Sequence, residues 1–229
     1  MRILAISDLH NDLENVLRFL DKIEKLNVDV IVCAGDILNA YPPKGIKNEE
    51  IASIFIEEIF LLKKPFFVIP GNFDKDIIDF LERKKVNLHG KGKTIGDFGF
   101  YGYGGAKTPF NTPLEPDEGE IKLGLYKGFI SVKDAKYKIQ VTHIPPLNTA
   151  CDLISNGLHV GSSSVREFIE EYKPLVAICG HIQESKGIDY LRNTVIVNCG
   201  RFPEGYAGLI EVKDGKVNAS IINLNFLDG

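Results

Sequence analysis

Three things are missing from this sequence, and each removes a class of function. There is no basic excess: 27 lysines and arginines stand against 31 aspartates and glutamates, a net charge of -4. Non-specific binding to nucleic acid or to an acidic membrane needs a positive face, so neither partner is expected. Long apolar runs are missing too. The one that opens the chain meets Ser7-Asp8 too early for a signal peptide or a membrane span, and a cytoplasmic location is the expectation. Nor are the cysteines paired. Cys33, Cys151, Cys179 and Cys199 show none of the short spacings of zinc sites, and three lie in apolar runs, which reads as reduced and buried.

What is present is ample material for a core, 44% hydrophobic residues in a chain of 229, read as a single domain over residues 1–229. Residues 2–7 form a β-branched and aliphatic strand that ends at Ser7-Asp8-Leu9-His10. Asn11 with Glu14 makes a capping-box pattern for a helix striped by Leu13, Val16, Leu17, Leu20 and Ile23. The apolar run Val30-Ile31-Val32-Cys33 then ends at Gly35-Asp36. This is a βαβ unit, which implies parallel strands.

The rest of the chain continues the alternation. A helix opens at Asn48, and residues 66–69 form a strand that runs into Pro70-Gly71-Asn72-Phe73-Asp74. A short helix follows, and residues 86–88 read as a further strand. Gly-rich residues 94–103 read as a hairpin of a second sheet, and proline-broken residues 104–120 as a long surface loop of the kind that carries function. After a glycine-diluted helix, residues 137–141 form a strand ending at Thr142-His143-Ile144-Pro145-Pro146. Ser164 with Glu167 caps another helix, and residues 175–179 lead into Gly180-His181-Ile182-Gln183. Two hairpins, turning at Arg192-Asn193 and Asp214-Gly215, complete the chain.

Apolar strands thus end at Asp8, Asp36, Asn72, His143 and His181, with His10 and Gln183 two residues beyond two of them. Any one of these alone is an ordinary turn residue. Their coincidence carries the weight, because parallel strands of one sheet bring their carboxyl ends to one rim, where ligands of α/β sheets gather. A site of carboxylate, imidazole and amide oxygen suits divalent Mn, Fe or Zn.

The blocks Asp8-Leu9-His10, Gly35-Asp36, Gly71-Asn72-Phe73-Asp74, Thr142-His143 and Gly180-His181-Ile182-Gln183 resemble, in order, the signature of calcineurin-like metallophosphoesterases. Thr-His-Ile-Pro-Pro, Val-Gly-Ser and Gly-His-Ile-Gln-Glu-Ser are similar to phrases of its prokaryotic Icc-related branch. The resemblance implies a four-layer α/β/β/α sandwich, two mixed sheets flanked by helices. It also implies two divalent metal ions, one held by Asp8, His10, Asp36 and Gln183, the other by Asp36, Asn72, His143 and His181. A hydroxide bridging such a pair attacks a phosphodiester or phosphomonoester in line. Asp36, Asn72 and His143 are then the catalytic set, and the partner is a small phosphorylated molecule, with nucleotides among the candidates. Oligomeric state is not legible.

Two residues depart from the pattern. Phe73 stands where the family usually has a histidine that protonates the leaving oxygen, a loss worth roughly 10² to 10⁴ in rate. Good leaving groups, such as those of aryl phosphodiesters, are therefore the expected substrates. Gln183 replaces a histidine ligand with an amide oxygen, which makes the first site harder, more labile and Mn-preferring. His159 is the nearest alternative acid, and Arg201 is a candidate for bidentate phosphate binding. His89, with no motif around it, is read as structural, and Arg83-Lys84-Lys85 as a solvated helix end. The rival reading is a weak or inactive binding or scaffold protein that keeps the fold, as the retromer subunit resembling this family does. A nuclease is disfavoured by the acidic charge.

Overall fold

The computed structural model describes residues 1–227. In chain order the main elements are β1 (Arg2–Ile6), α1 (Leu13–Leu17), α2 (Leu20–Lys25), β2 (Val30–Cys33), α3 (Asn48–Leu61), β3 (Phe66–Val68) and α4 (Ile78–Arg83). Then come β4 (Lys91–Ile95), β5 (Phe98–Tyr103), α5 (Glu118–Ile130), β6 (Tyr137–Thr142), α6 (Ser163–Tyr172) and β7 (Val176–Cys179). Strands β8 (Gly187–Leu191), β9 (Thr194–Asn198), β10 (Tyr206–Lys213) and β11 (Lys216–Asn223) follow.

Two mixed sheets result. The first runs β11-β10-β1-β2-β3, with β1, β2 and β3 parallel and β10 antiparallel both to β1 and to β11. The second runs β4-β5-β6-β7-β9-β8, with β5, β6, β7 and β9 parallel and an antiparallel strand at each edge.

The period-two alternation of strands assigns each face to a layer. In β1, Leu4 and Ile6 join Ile31 and Cys33 of β2 in a core shared with Val16, Phe19, Ile23 and Phe55 of the first helices. Their neighbours Ile3, Ala5, Val30 and Val32 point the other way, into a core with Phe100, Ile139, Val141, Val176, Ile178 and Val197 of the second sheet. That sheet's opposite face, with Tyr101, Ala177 and Ile196, packs on Ile121, Leu125, Val165 and Phe168 of α5 and α6. The order is helices, sheet, sheet, helices, the four-layer α/β sandwich expected.

Several local expectations change. The five ligand-bearing strand ends do not belong to one sheet: β1, β2 and β3 lie in the first, β6 and β7 in the second. Strands buried on both faces read alike in either sheet, so periodicity could not separate them. The first helix is capped by Asp12, whose carboxylate accepts from the Asn15 N–H, and it breaks between Leu17 and Leu20. Asn11 is unavailable as a cap because its side chain accepts from the Asn39 N–H and donates to the Tyr41 carbonyl.

Residues 86–88 pair with the first sheet only through a bridge from Asn87 to Val68. The α5 helix starts at Glu118, inside the stretch read as loop, because Asp117 and Glu120 close a capping box. Ser162 rather than Ser164 caps α6, accepting from the Val165 N–H while its hydroxyl donates to Glu118. Arg83 and Lys84 pair with Glu49 and Glu57 of α3 rather than standing free.

Candidate functional site

The site forms where the turns after β1, β2, β3, β6 and β7 meet. Backbone bonds lock the first two turns: the Asp8 N–H donates to the Gly35 carbonyl at 2.9 Å, and the Leu9 and His10 N–H groups to the Asp36 carbonyl at 2.8 and 3.0 Å. Asp74, fully buried, ties the second turn to the third by accepting from Ile37, Leu38 and Gly71. Two glycines make the approach feasible. A Cβ on Gly71 would lie 2.0 Å from Asp36 Oδ1, and one on Gly180 would lie 1.9 Å from Ser7 Oγ.

Asp8, His10, Asp36 and His181 all sit in the left-handed region, with φ of 58°, 50°, 54° and 65°. That conformation is uncommon for residues with a Cβ and costs of order 1 kcal/mol or more at each position. Its recurrence at four converging side chains is a mark of a functional site.

Lone-pair atoms gather in two groups that share Asp36: Asp8, His10 and Asp36, and Asp36, His143 and His181, each with its donor atoms within 4.8 Å of one another. His143 Nε2 lies 3.3 Å from Asp36 Oδ2 and 3.1 Å from Asn72 Oδ1. His10 Nε2 lies 3.6 Å from Asp8 Oδ1 and 3.9 Å from Asp36 Oδ2. The Gln183 amide reaches Asp8 Oδ1 at 3.3 Å and His10 Nε2 at 2.7 Å. All seven residues expected to hold metal are therefore brought together.

The His143 ring is oriented from behind. Its Nδ1 lies 2.7 Å from the Ala34 carbonyl, where only an N–H fits, so Nε2 faces the cluster.

The protonation pattern is that of a buried anionic cluster. Burial opposes charge on His143, but Asp36 and then Asp8 outweigh it and push its pKa up to about 9. Burial would raise Asp8, yet the bond to His10 and the field of His143 hold it down to about 2. His181 is driven down to about 4 by burial and by His143. Asp74 is pushed up to about 6 by burial and by Asp36.

The donor set fits divalent metals. Asp8 and Asp36 are buried, and among the described residues their ion-pair partners are histidines alone, with no lysine or arginine compensating them. Two carboxylates, three imidazoles and two side-chain amides make a set of hard and borderline donors.

A cleft of about 470 Å³ opens over these residues. His10, Asp36, Asn72, His181 and Gln183 form its floor, and Phe73, Lys107, Pro109, Phe110, Ile154, Val160 and Ile182 are among its walls. Phe73 meets the His10 ring edge-on, centroids 5.9 Å apart, and its N–H donates to Asp36 Oδ1 at 3.1 Å.

His159 and Arg201 lie outside that lining. His159 is exposed and bound through Nδ1 to Asp152 at 2.7 Å, and Arg201 pairs with Glu204 at 3.5 Å.

Three supporting features escape a reading of the sequence. Asp74 is visible within its block but carries no assigned role there. Asp152, fully buried, gathers the N–H groups of Asn148, Thr149 and Gly161 as well as His159, and so shapes the loop bearing Ile154 and Val160. Glu115 does the same for the other wall, accepting from Thr108 and Thr112. Only the proline-broken character of residues 104–120 hints at that wall.

Comparison with known proteins agrees with this geometry. A family model for calcineurin-like phosphoesterases matches residues 1–185. The uncharacterized protein MJ1162 of Methanocaldococcus jannaschii is 39% identical over 205 residues, 86% of this chain and 87% of that one. The probable glycerophosphodiester phosphodiesterase GpdQ of Arcobacter nitrofigilis is 26% identical over 220 residues, 91% of this chain and 75% of that one. Among solved structures, TT1561 of Thermus thermophilus shares the fold with a TM-score of 0.73 at 22% identity, over 97% of this chain and 98% of that one.

Proposed function

Since this chain belongs to the calcineurin-like phosphoesterase family of metal-dependent hydrolases, we propose that it hydrolyses a small phosphodiester or phosphomonoester with two divalent cations. Asp8, His10, Asp36 and Gln183 hold the first cation, and Asp36, Asn72, His143 and His181 the second. The observation that carries this reading is the sharing of Asp36 by both donor groups. A carboxylate between two cations offsets part of their repulsion, which a neutral ligand cannot do.

When bound, the pair supplies a water of lowered pKa and a charge clamp on the phosphoryl group. The protein's own share is positional. Asp74 holds the two turns that present Asp36 and Asn72, and the Ala34 carbonyl fixes the His143 tautomer. Asn72 also lines the cleft, where its amide N–H would be a donor to a phosphoryl oxygen.

No side chain at position 73 can donate a proton to the leaving oxygen, so turnover favours leaving groups that depart as stable anions. His159, bound to Asp152, and Arg201, paired through Nη1 with Glu204, both lie outside the cleft lining and are the secondary candidates for acid and phosphate binder. The name of the Arcobacter relative supports a phosphodiester as the first substrate class to try.

The test is metal analysis of the purified protein with an aryl phosphodiester assay over Mn, Fe, Zn and Mg, using Asp36→Asn as control. Turnover should need added metal and fall at least about a hundredfold in the variant, the scale of a lost electrostatic anchor. No bound metal and no turnover under any ion would turn the reading toward the binding or scaffold protein that Phe73 and Gln183 otherwise suggest.

A further inference from the structure

The cleft floor is polar, but the walls are not. Phe73, Pro109, Phe110, Ile154, Val160 and Ile182 surround the donor cluster from separate segments of chain. Phe110 is 80% exposed and Val160 36%, so neither is held there by core packing. An exposed phenylalanine on a loop has no folding reason to stand over a buried anionic site, and grouped apolar surface beside polar residues marks a binding site.

The polar groups of the same wall are already occupied. Thr108 and Thr112 donate both hydroxyl protons to Glu115, at 2.6 and 2.7 Å, so neither is left to donate to a ligand. The surface left to a substrate is hydrocarbon, with Lys107 as the wall's one cation among the described residues.

We propose that this wall binds the non-leaving substituent of a phosphodiester, and that the substituent is an aromatic or comparably flat apolar group rather than a sugar or glycerol. Lys107 complements the single negative charge that a diester retains. The proposal rests on the phosphoesterase reading above and specifies its substrate. Phe73 takes a second meaning here: the side chain that cannot act as an acid supplies contact area between the wall and the metal ligands.

The experiment holds the leaving group constant and changes the substituent that stays. The metal-loaded protein is given 4-nitrophenyl methyl phosphate, 4-nitrophenyl phenyl phosphate and the 4-nitrophenyl ester of thymidine 5′-phosphate, with each rate divided by its uncatalysed rate. The phenyl ester should exceed the methyl ester in kcat/KM by about tenfold to a hundredfold, the value of burying one ring. In Phe110→Ala that ratio should fall several-fold. The exposure of Phe110 keeps the variant folded.

A binding measurement runs beside it: calorimetry should show phenylphosphonate binding about tenfold more tightly than methylphosphonate. Equal phenyl and methyl rates, a ratio unchanged in Phe110→Ala, or equal phosphonate affinities would overturn the proposal and leave the phosphoesterase reading intact. A preference for the thymidine ester over the phenyl ester would also overturn it, in favour of nucleotides. No turnover of any of the three esters with any metal would instead remove the phosphoesterase reading itself.

Discussion

His89 offers a test of how the cleft wall is anchored that does not involve the metal ligands. Its ring stacks on Tyr103, centroids 4.0 Å apart and planes 21° apart, and Nδ1 accepts from the Gly104 N–H at 3.0 Å. Gly104 begins the loop that reaches Lys107 and Phe110, and the next residue, Gly105, donates to the Pro70 carbonyl beside the site. A proton on Nδ1 would set two donors face to face and release this anchor.

Burial drives the His89 pKa down to about 4. The unfolded chain has an ordinary histidine near 6.5, so below that pH it binds a proton that the folded state refuses. Stability from this group is complete above about pH 6.5 and is lost as pH falls toward 4. The difference amounts to about 2 kcal/mol at pH 5, and to about 3 kcal/mol at most.

The assay is urea unfolding of the wild type and His89→Phe between pH 4.5 and 7.5. The variant keeps the stacking but leaves the Gly104 N–H unpaired, so at about pH 7 it should be less stable by about 1 to 3 kcal/mol. Only the wild type carries the histidine's pH dependence, so the two stability curves should converge by about 2 kcal/mol on going to pH 5. Every other titrating group cancels in the difference. A gap between the curves that stays constant across the whole range would refute the assignment of a buried, neutral His89.

Two further outcomes follow from the same geometry. In Gly71→Ala the new methyl meets Asp36 Oδ1 at 2.0 Å and the Asp36 backbone nitrogen at 2.2 Å. The turn must move, so the melting temperature should drop by several degrees and bound metal should fall although every ligand is retained; a variant with wild-type melting and full metal content would contradict the close approach. In Gln183→His an imidazole replaces an amide beside Asp8 and His10, and the weaker of two Mn or Zn binding events in calorimetry should tighten roughly tenfold or more. Wild-type sites of equal affinity would dispose of the idea that Gln183 leaves the first one labile.

That inner strands such as β1 and β2 are covered on both sides was legible because their runs, residues 3–6 and 30–33, are apolar at every position: in β1, Leu4 and Ile6 face the helices while Ile3 and Ala5 face the second sheet. A second sheet was expected, but which strands belong to which sheet was not legible, since Val30–Cys33 and Val176–Cys179 present the same doubly buried pattern and differ only in what lies beyond them. Asp74 and Asp152 were hidden for a related reason. Each is defined by the N–H groups it gathers, and for Asp74 two of those come from Ile37 and Leu38, far back in the chain. The apolar wall joins residues 73, 109, 110, 154, 160 and 182, and no local periodicity links them.

The candidate ligands were legible for a stronger reason, which the backbone supplies. Gly35-Asp36 offered two readings in the sequence, a turn or a ligand, as though one excluded the other. Asp36 has φ of 54°, as Asp8, His10 and His181 have similar values, because the chain must reverse within a residue or two of the strand end to put a side chain over the rim. Asp and His are among the few residues with a Cβ that tolerate this conformation, and both carry lone pairs. At these four positions the turn is thus what delivers the ligand, and the same backbone demand that made each residue look ordinary alone favours the residue types found there.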